Sequence, residues 1–582
     1  MRRALRTALQ RRRRTQGGYV AVLVAVFAGT LMVPLCAISV DVSRWYVEVQ
    51  RVQNAADAAA TAGVTFLPDD FASARAAAIA VAGRNGYPES STSHIVVAVG
   101  DKPTQLKVTI TSTIGNAFGA AFNEGLAHIQ RGATADYNGP APMGSPCNTF
   151  GNEPTGSSSN SDRGPSTSVI SAPAGGAVCS SNPQFWGAIA GPDTPKGNGD
   201  EYMTRSCSSG NDGCTGTTNS EFDPRGYFYV VKVAPAAVGT PITVQTYDPS
   251  WVENGDSCEV APDNGSNQLQ DTMNDYTTVD GATRYAKATN TFCTGDVNNG
   301  ASDLITTSFD VRNPTDTYNP SNGTPIAGCA KQYPGYLKSQ VTTAALRKGN
   351  PAYNADLAAV YHQWVPLCTF TPSRAGDYYL QVRTNVALGG TADGQGGYQG
   401  NPAVYNQTGD NSSVHGSGNN RFALRVKGAP GASVSVAGWQ HMSIYANYAG
   451  ASSTFNLVRV IPAAATKTLV IGFYDVGDAA NPGTIRVLPP TDSNMSSAIT
   501  GCIGSGVVNG NLTNCQLNNV SSGSGWNGKS QYVRIPIPGT YTCTATQPGG
   551  CWFRLQVSFP GGVNDTTTWT AQITGDPIRL IK

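Results

Sequence analysis

The residues of this 582-residue chain that could do chemistry are few and scattered. Its five histidines (His94, His128, His362, His415 and His441) show no HExxH spacing, and the chain contains neither a GxSxG nucleophile elbow nor a GxxxxGK[ST] phosphate loop. A lone histidine in such a setting reads as a structural residue, so the expectation is a protein that is not an enzyme and carries no cofactor. The densest oxygen chemistry lies in two acidic loops, Tyr247-Asp248 with Glu253 and Asp256, and Tyr474-Asp475 with Asp478. Carboxylates and carbonyls crowded on a turn hold calcium. The competing reading makes Asp248 and Asp475 turn caps that bond to nearby backbone. Trp186, Trp251, Trp439, Trp526 and Trp569 lie near expected turns or strand ends. An exposed indole face there would stack on a sugar ring such as a cell-wall glycan, whereas a buried one would fill a core.

The two acidic loops sit at matching places in a long-range repeat. Phe228-Tyr229-Val230-Val231-Lys232-Val233-Ala234-Pro235-Ala236-Ala237 recurs as Phe455-Asn456-Leu457-Val458-Arg459-Val460-Ile461-Pro462-Ala463-Ala464, and the register continues to Tyr247-Asp248 and Tyr474-Asp475. Each copy reads as strand, Pro-Ala-Ala turn, strand. A weaker echo links Tyr378-Tyr379-Leu380-Gln381-Val382 with Phe553-Arg554-Leu555-Gln556-Val557, and Phe422-Ala423-Leu424-Arg425-Val426 with Trp569-Thr570-Ala571-Gln572-Ile573. Alternating apolar residues in these runs fit strands buried on one face. With 66 Gly, 36 Pro and only 13% charged residues, the fold class is mainly β, with two tandem disulfide-bonded β-sandwich domains at 181–427, enlarged by insertions, and 428–582.

Thirteen cysteines exceed ordinary reduced-compartment usage, and they do not form CxxC knuckles. Cys36 lies in an apolar run; the other twelve divide into eight from Cys147 to Cys368 and four from Cys502 to Cys551. Even numbers in both groups fit a disulfide framework made in an oxidising compartment. Cys543 and Cys551 flank the turn Gln547-Pro548-Gly549-Gly550, Cys207 and Cys214 flank a Gly-rich loop, and Cys502 with Cys515 completes the candidate pairs.

These domains need an attachment, and the first residues supply one. Residues 1–16 form a basic tail containing Arg2, Arg3, Arg6, Arg11, Arg12, Arg13 and Arg14, and from Gly17 to Val40 there is no charged residue. That run is long enough to cross a bilayer as a helix, and the arginines place the tail in the cytoplasm with everything after Asp41 outside. Without those arginines the body is mildly acidic, which excludes a nucleic-acid footprint. An Ala-rich helix follows at 41–66, with Val42, Trp45, Val49, Val52, Ala56 and Ala59 spaced as a heptad seam. The seam fits packing either on its own domain or on other subunits. Residues 67–140 read as a small α/β unit: a helix at 73–84 ended by Asn85-Gly86, strands at 94–99 and 106–111, a helix near Phe118 and a strand ending near Tyr137. Residues 141–180 are a Gly/Ser/Pro-rich linker.

The basic tail, Gly17-Gly18-Tyr19-Val20-Ala21-Val22, Asp41-Val42-Ser43-Arg44 and Gln53-Asn54-Ala55-Ala56-Asp57-Ala58-Ala59-Ala60-Thr61-Ala62-Gly63 together resemble the N-terminal segment of TadE/TadG-like proteins of Flp (tight adherence) pilus assembly. That resemblance implies a single-pass protein of the bacterial cell membrane whose helix meets other pilus-assembly or envelope subunits and whose C-terminal domains are extracellular. The alternative is an anchored surface adhesin or carbohydrate-binding protein.

Overall fold

The computed structural model describes residues 18–67, 71–100, 105–119, 125–137, 141–152, 179, 184–208, 212–253, 296–297, 304–315, 319–346, 348–361, 363–384, 388–394, 396–399, 416–429, 433–448, 452–573 and 578–580. The chain divides into two compact units, 1–137 with 578–582, and 138–577.

In the first unit a single helix, α1, runs from Gly18 to Val64, with a π-helical turn at Ala28–Met32. Pro34 follows that turn; it has no N–H for the Thr30 carbonyl, the usual cause of such an irregularity. Among the described side chains from Gly18 to Val40, none is buried. The Thr and Ser hydroxyls there are satisfied internally, Thr30 Oγ1 donating to Val26 O at 2.6 Å and Ser39 Oγ to Leu35 O at 2.7 Å. Beyond Asp41 the character changes, and Val52, Ala55, Ala56, Ala59, Ala60 and Val64 are buried in the unit's core. The heptad seam therefore splits: Val52, Ala56 and Ala59 pack on their own domain, while Val42 and Trp45 stay exposed.

Helix α2 (Phe71–Arg84) buries Ala74, Ala78 and Ala82 against the same core. It stops where Gly86, at φ 95°, donates to Gly83 O while Tyr87 N reaches Ala82 O, a left-handed C-terminal cap. Strands β1 (Ser93–Val99), β2 (Gln105–Gly115) and β3 (Leu126–Tyr137) form an antiparallel sheet completed by Ile578–Leu580. Near Phe118, where the sequence predicts a helix, the Asp41 carboxylate holds the amides of Ala117–Gly119; Gly119 is in 3₁₀ conformation, and residues 120–124 lie outside the described residues.

The second unit is mainly β, with two short helices at Thr343–Leu346 and Ala355–Val360. Its strands are β4 (Pro142–Met143), β5 (Thr149–Phe150), β6 (Phe185–Ala190), β7 (Tyr227–Val233), β8 (Ile242–Tyr247), β9 (Thr307–Arg312), β10 (Pro325–Tyr333), β11 (Trp364–Phe370), β12 (Gly376–Thr384), β13 (Thr391–Ala392), β14 (Tyr398–Gln399), β15 (Asn419–Lys427) and β16 (Val434–Trp439). They continue as β17 (His441–Tyr448), β18 (Ser453–Arg459), β19 (Thr468–Tyr474), β20 (Gly483–Leu488), β21 (Cys502–Gly506), β22 (Gly510–Leu512), β23 (Gln516–Val520), β24 (Ser530–Pro536), β25 (Trp552–Ser558) and β26 (Val563–Ile573). Antiparallel ladders join them into two rows. One runs β13-β14-β10-β9-β12-β7-β16-β4-β18-β25-β20-β23. The other runs β11-β8-β15-β6-β17-β26-β19-β24-β21-β22. The rows face one another across the core, where Tyr229 of β7 meets Phe422 of β15 and Phe455 of β18 meets Trp569 of β26.

The ladders repeat. β7 lies between β12 and β16 as β18 lies between β25 and β4, and β8 lies between β11 and β15 as β19 lies between β24 and β26. Both Pro-Ala-Ala turns are short 3₁₀ turns, at Pro235–Ala237 and Pro462–Ala464. Pairing crosses position 427/428, because β16 joins the first copy through β7, while Pro142–Met143, ahead of both copies, fills the corresponding edge of the second. The repeat also contains a one-residue slip. A bulge between Asn456 and Val458 turns Phe455 into the core, so Phe455 matches Tyr229, whereas Phe228 points outward against Trp439.

Candidate functional site

Each copy of the repeat ends its second strand on an aspartate in the left-handed region, Asp248 at φ 51° and Asp475 at φ 57°. The backbone N–H of each donates across to the segment before the next strand of its own row, Asp248 N to Gln363 O at 3.0 Å and Asp475 N to Lys529 O at 2.9 Å. Both aspartates are buried. The shared geometry aims a carboxylate inward at the end of the sandwich.

In the second copy three carboxylates converge. Asp475, Asp478 and Asp565 each offer an oxygen lying within 4.8 Å of the other two. Oxygens around a calcium ion at its usual distance of about 2.4 Å stand no farther apart than that, so the donor set fits a hard cation in size and type. The protein itself supplies amides: Gly528 N donates to Asp475 Oδ1 at 2.5 Å, and Gly477 N and Asp478 N both donate to Asp565 Oδ2, at 2.9 and 3.0 Å. Asn527 Nδ2 reaches Asp478 Oδ1 at 3.0 Å. Burial pushes the Asp475 carboxyl up to about 8 against the Gly528 hydrogen bond, with the charges of Asp478 and Asp212 adding to it. Burial likewise raises Asp478, and it raises Asp565 well above the carboxylate range together with the Asp475 and Asp478 charges. Such a cluster either keeps protons at neutral pH or gathers positive charge.

In the first copy the arrangement differs. The neighbour of Asp248 is Asp296, whose oxygens accept from Val252 N at 2.7 Å and Arg421 N at 2.8 Å. Burial and the Asp248 charge raise Asp296 strongly. Glu253 instead accepts from Lys338 N at 2.9 Å, and Asp256 lies outside the described residues. Asp296 and Asp565 were missed by sequence reasoning. Asp565 had no usable sequence signal: the strand pairing aligns Trp569 with Leu424 and so sets Asp565 on Asn420, two positions from the Phe422 match read in sequence.

The described histidines are held singly. His94 Nδ1 meets Glu89 Oε1, His128 Nδ1 lies 2.9 Å from Thr113 Oγ1, and His441 stacks on Tyr202, with ring centroids 4.3 Å apart. Burial lowers His441 to about 4. His362 and His415 lie outside the described residues. Trp186, Trp251, Trp439, Trp526 and Trp569 are all buried, so none presents a face for a sugar.

Disulfides join Cys147 to Cys179, Cys207 to Cys214, Cys329 to Cys368, Cys502 to Cys515 and Cys543 to Cys551. Cys329 and Cys368 tie β10 to β11, one from each row of strands. Cys258 and Cys293 lie outside the described residues.

At the other functional end of the chain, in the first unit, Asp41 accepts from Ala117 N, Phe118 N and Gly119 N at 2.7, 3.0 and 2.7 Å, and Trp45 Nε1 donates to Asn116 Oδ1 at 2.8 Å. The helix Gly18–Val64 is long and apolar enough to cross a membrane by length and composition. No curated protein and no solved structure matches the chain. The family model described as "Putative Flp pilus-assembly TadE/G-like" matches residues 18–83, which identifies this N-terminal segment, α1 with most of α2, as TadE/G-like.

Proposed function

We propose that this chain is a membrane-anchored, non-enzymatic component of a Tad/Flp-type pilus-assembly or secretion system. The carrying observation is the two-part helix α1 inside the TadE/G-like match: no described side chain of its first half is buried, and its second half packs into the core of a folded unit. Residues 18–40 span the bacterial cell membrane once, with the N-terminus cytoplasmic and the disulfide-bonded unit 138–577 on the oxidising, extracellular side. The exposed seam residue Val42 remains for contact with other assembly or envelope subunits. An anchored adhesin that binds glycan is favoured less, because the five tryptophans that would stack on sugar are committed to cores.

The test is affinity capture of the intact protein from membranes of cells expressing the pilus apparatus, with mass spectrometry of what copurifies. Pilus-assembly subunits enriched over a tag-only control support the reading. Their absence under those conditions rejects it.

A further inference from the structure

The turn after β2 lies at the membrane boundary of the helix. Asp41 is the first charged residue after the apolar run and follows Val40, the last residue assigned to the bilayer. Its carboxylate takes three consecutive amides of the 117–119 turn, and one helical turn later Trp45 holds Asn116. These four bonds fix residues 116–119 to α1 at the height where the helix leaves the lipid. The apolar side chains gathered there are not covered: Phe118 is 48% exposed, Leu126 60%, Tyr46 71% and Trp45 36%. Aromatic side chains at this depth belong to the belt that sits among lipid headgroups.

We infer that Phe118, with Trp45 and Leu126, forms a membrane-contacting tip that seats the first unit on the surface of the same bilayer α1 crosses. The inference rests on the anchor reading above and adds to it a second contact with lipid. The occupant of this patch is the bilayer itself, because the covalent connection through Val40 holds the patch there and the Asp41 bonds prevent the turn from swinging away. A free carboxylate beside lipid would be costly, and the three amides supply the solvation it loses. Asp41 is thus a positioning residue for Phe118.

The experiment places 4-trifluoromethylphenylalanine at position 118, or at the exposed control position Val99, in the full-length protein inserted into phosphatidylcholine–phosphatidylglycerol nanodiscs. Val99 pairs with Leu106 at the far end of β2, about 30 Å from Gly115. The ¹⁹F signal at 118 is expected to broaden with lipid nitroxide-labelled near the headgroup and to resist a soluble gadolinium chelate, with the reverse at 99. Asp41→Ala should leave insertion intact and reduce the lipid broadening at 118. Equal gadolinium sensitivity at 118 and 99 in inserted protein overturns the tip while leaving the anchor standing. Failure of the protein to enter nanodiscs rejects the anchor and the tip together.

Discussion

Asp565 in β26 stands where Asn420 stands in β15. Thr568 pairs with Tyr474 as Ala423 pairs with Tyr247, and counting back three residues from each reaches this position. One copy of the repeat therefore carries an amide at this position, donating to Pro249 O and Thr307 Oγ1, and the other a carboxylate. The first copy thus pairs Asp248 with Asp296, while the second gathers the three carboxylates Asp475, Asp478 and Asp565.

Stability in chelator should fall as pH rises through this region. Asp475 is raised from 3.8 to about 8 and its two neighbours are raised as well, so the folded state holds protons that the unfolded chain has released. The stabilisation is complete below the unfolded carboxylate range near 4 and is lost as pH climbs through 8. Asp565→Asn copies the first repeat, keeps an acceptor for Gly477 N and Asp478 N, and should gain roughly 1–2 kcal/mol at pH 8 with little change at pH 4. Chemical denaturation at the two pH values with EDTA present checks both points; a variant equal to or weaker than the parent at pH 8 rejects the repulsion.

Thr466 has φ 69° at the position where the first copy has Gly239 at φ 78°. Both residues make the same kind of bond, Thr466 N to Ile537 O and Gly239 N to Pro372 O. A β-branched residue is strained in the left-handed region, and Thr466→Gly should stabilise the protein by about 1 kcal/mol despite the added freedom of the unfolded chain. A raised denaturation midpoint with unchanged slope is the expected readout.

Gly63 is a point of close approach between α1, α2 and β2. A Cβ there would meet Leu106 Cδ2, the Ala74 carbonyl at 2.6 Å and Ala78 Cβ at 3.1 Å. Gly63→Ala should therefore cost about 1–3 kcal/mol by overpacking. Amide hydrogen exchange of the intact protein in detergent should show lost protection in α1 beyond Val52 and in α2, with β7 and β18 unaffected.

The mainly β class, the apolar helix and the repeat were legible because each leaves a local or periodic mark: an uncharged run, alternation, a shared Pro-Ala-Ala turn. What stayed hidden depends on distant chain segments. Two residues, Pro142 and Met143, complete the sheet of the second copy, and a strand that short carries no periodicity. The bulge at Asn456 makes Phe228 and Phe455 look equivalent in sequence although they face opposite ways. The segment at Phe118 is positioned by Asp41, far back in the chain, which no local pattern announces. Asp565 lies in a strand of polar residues, and only its pairing register brings it to Asp475.

Alkaline carbonate extraction of native membranes, followed by thiol blocking and mass spectrometry under non-reducing conditions, tests the anchored, outward-facing arrangement most directly. The protein should remain in the membrane pellet with Cys329–Cys368 and Cys543–Cys551 recovered as cystine-linked peptides and Cys36 alone reacting. Release into the supernatant, or blocked thiols at those four positions, would contradict it.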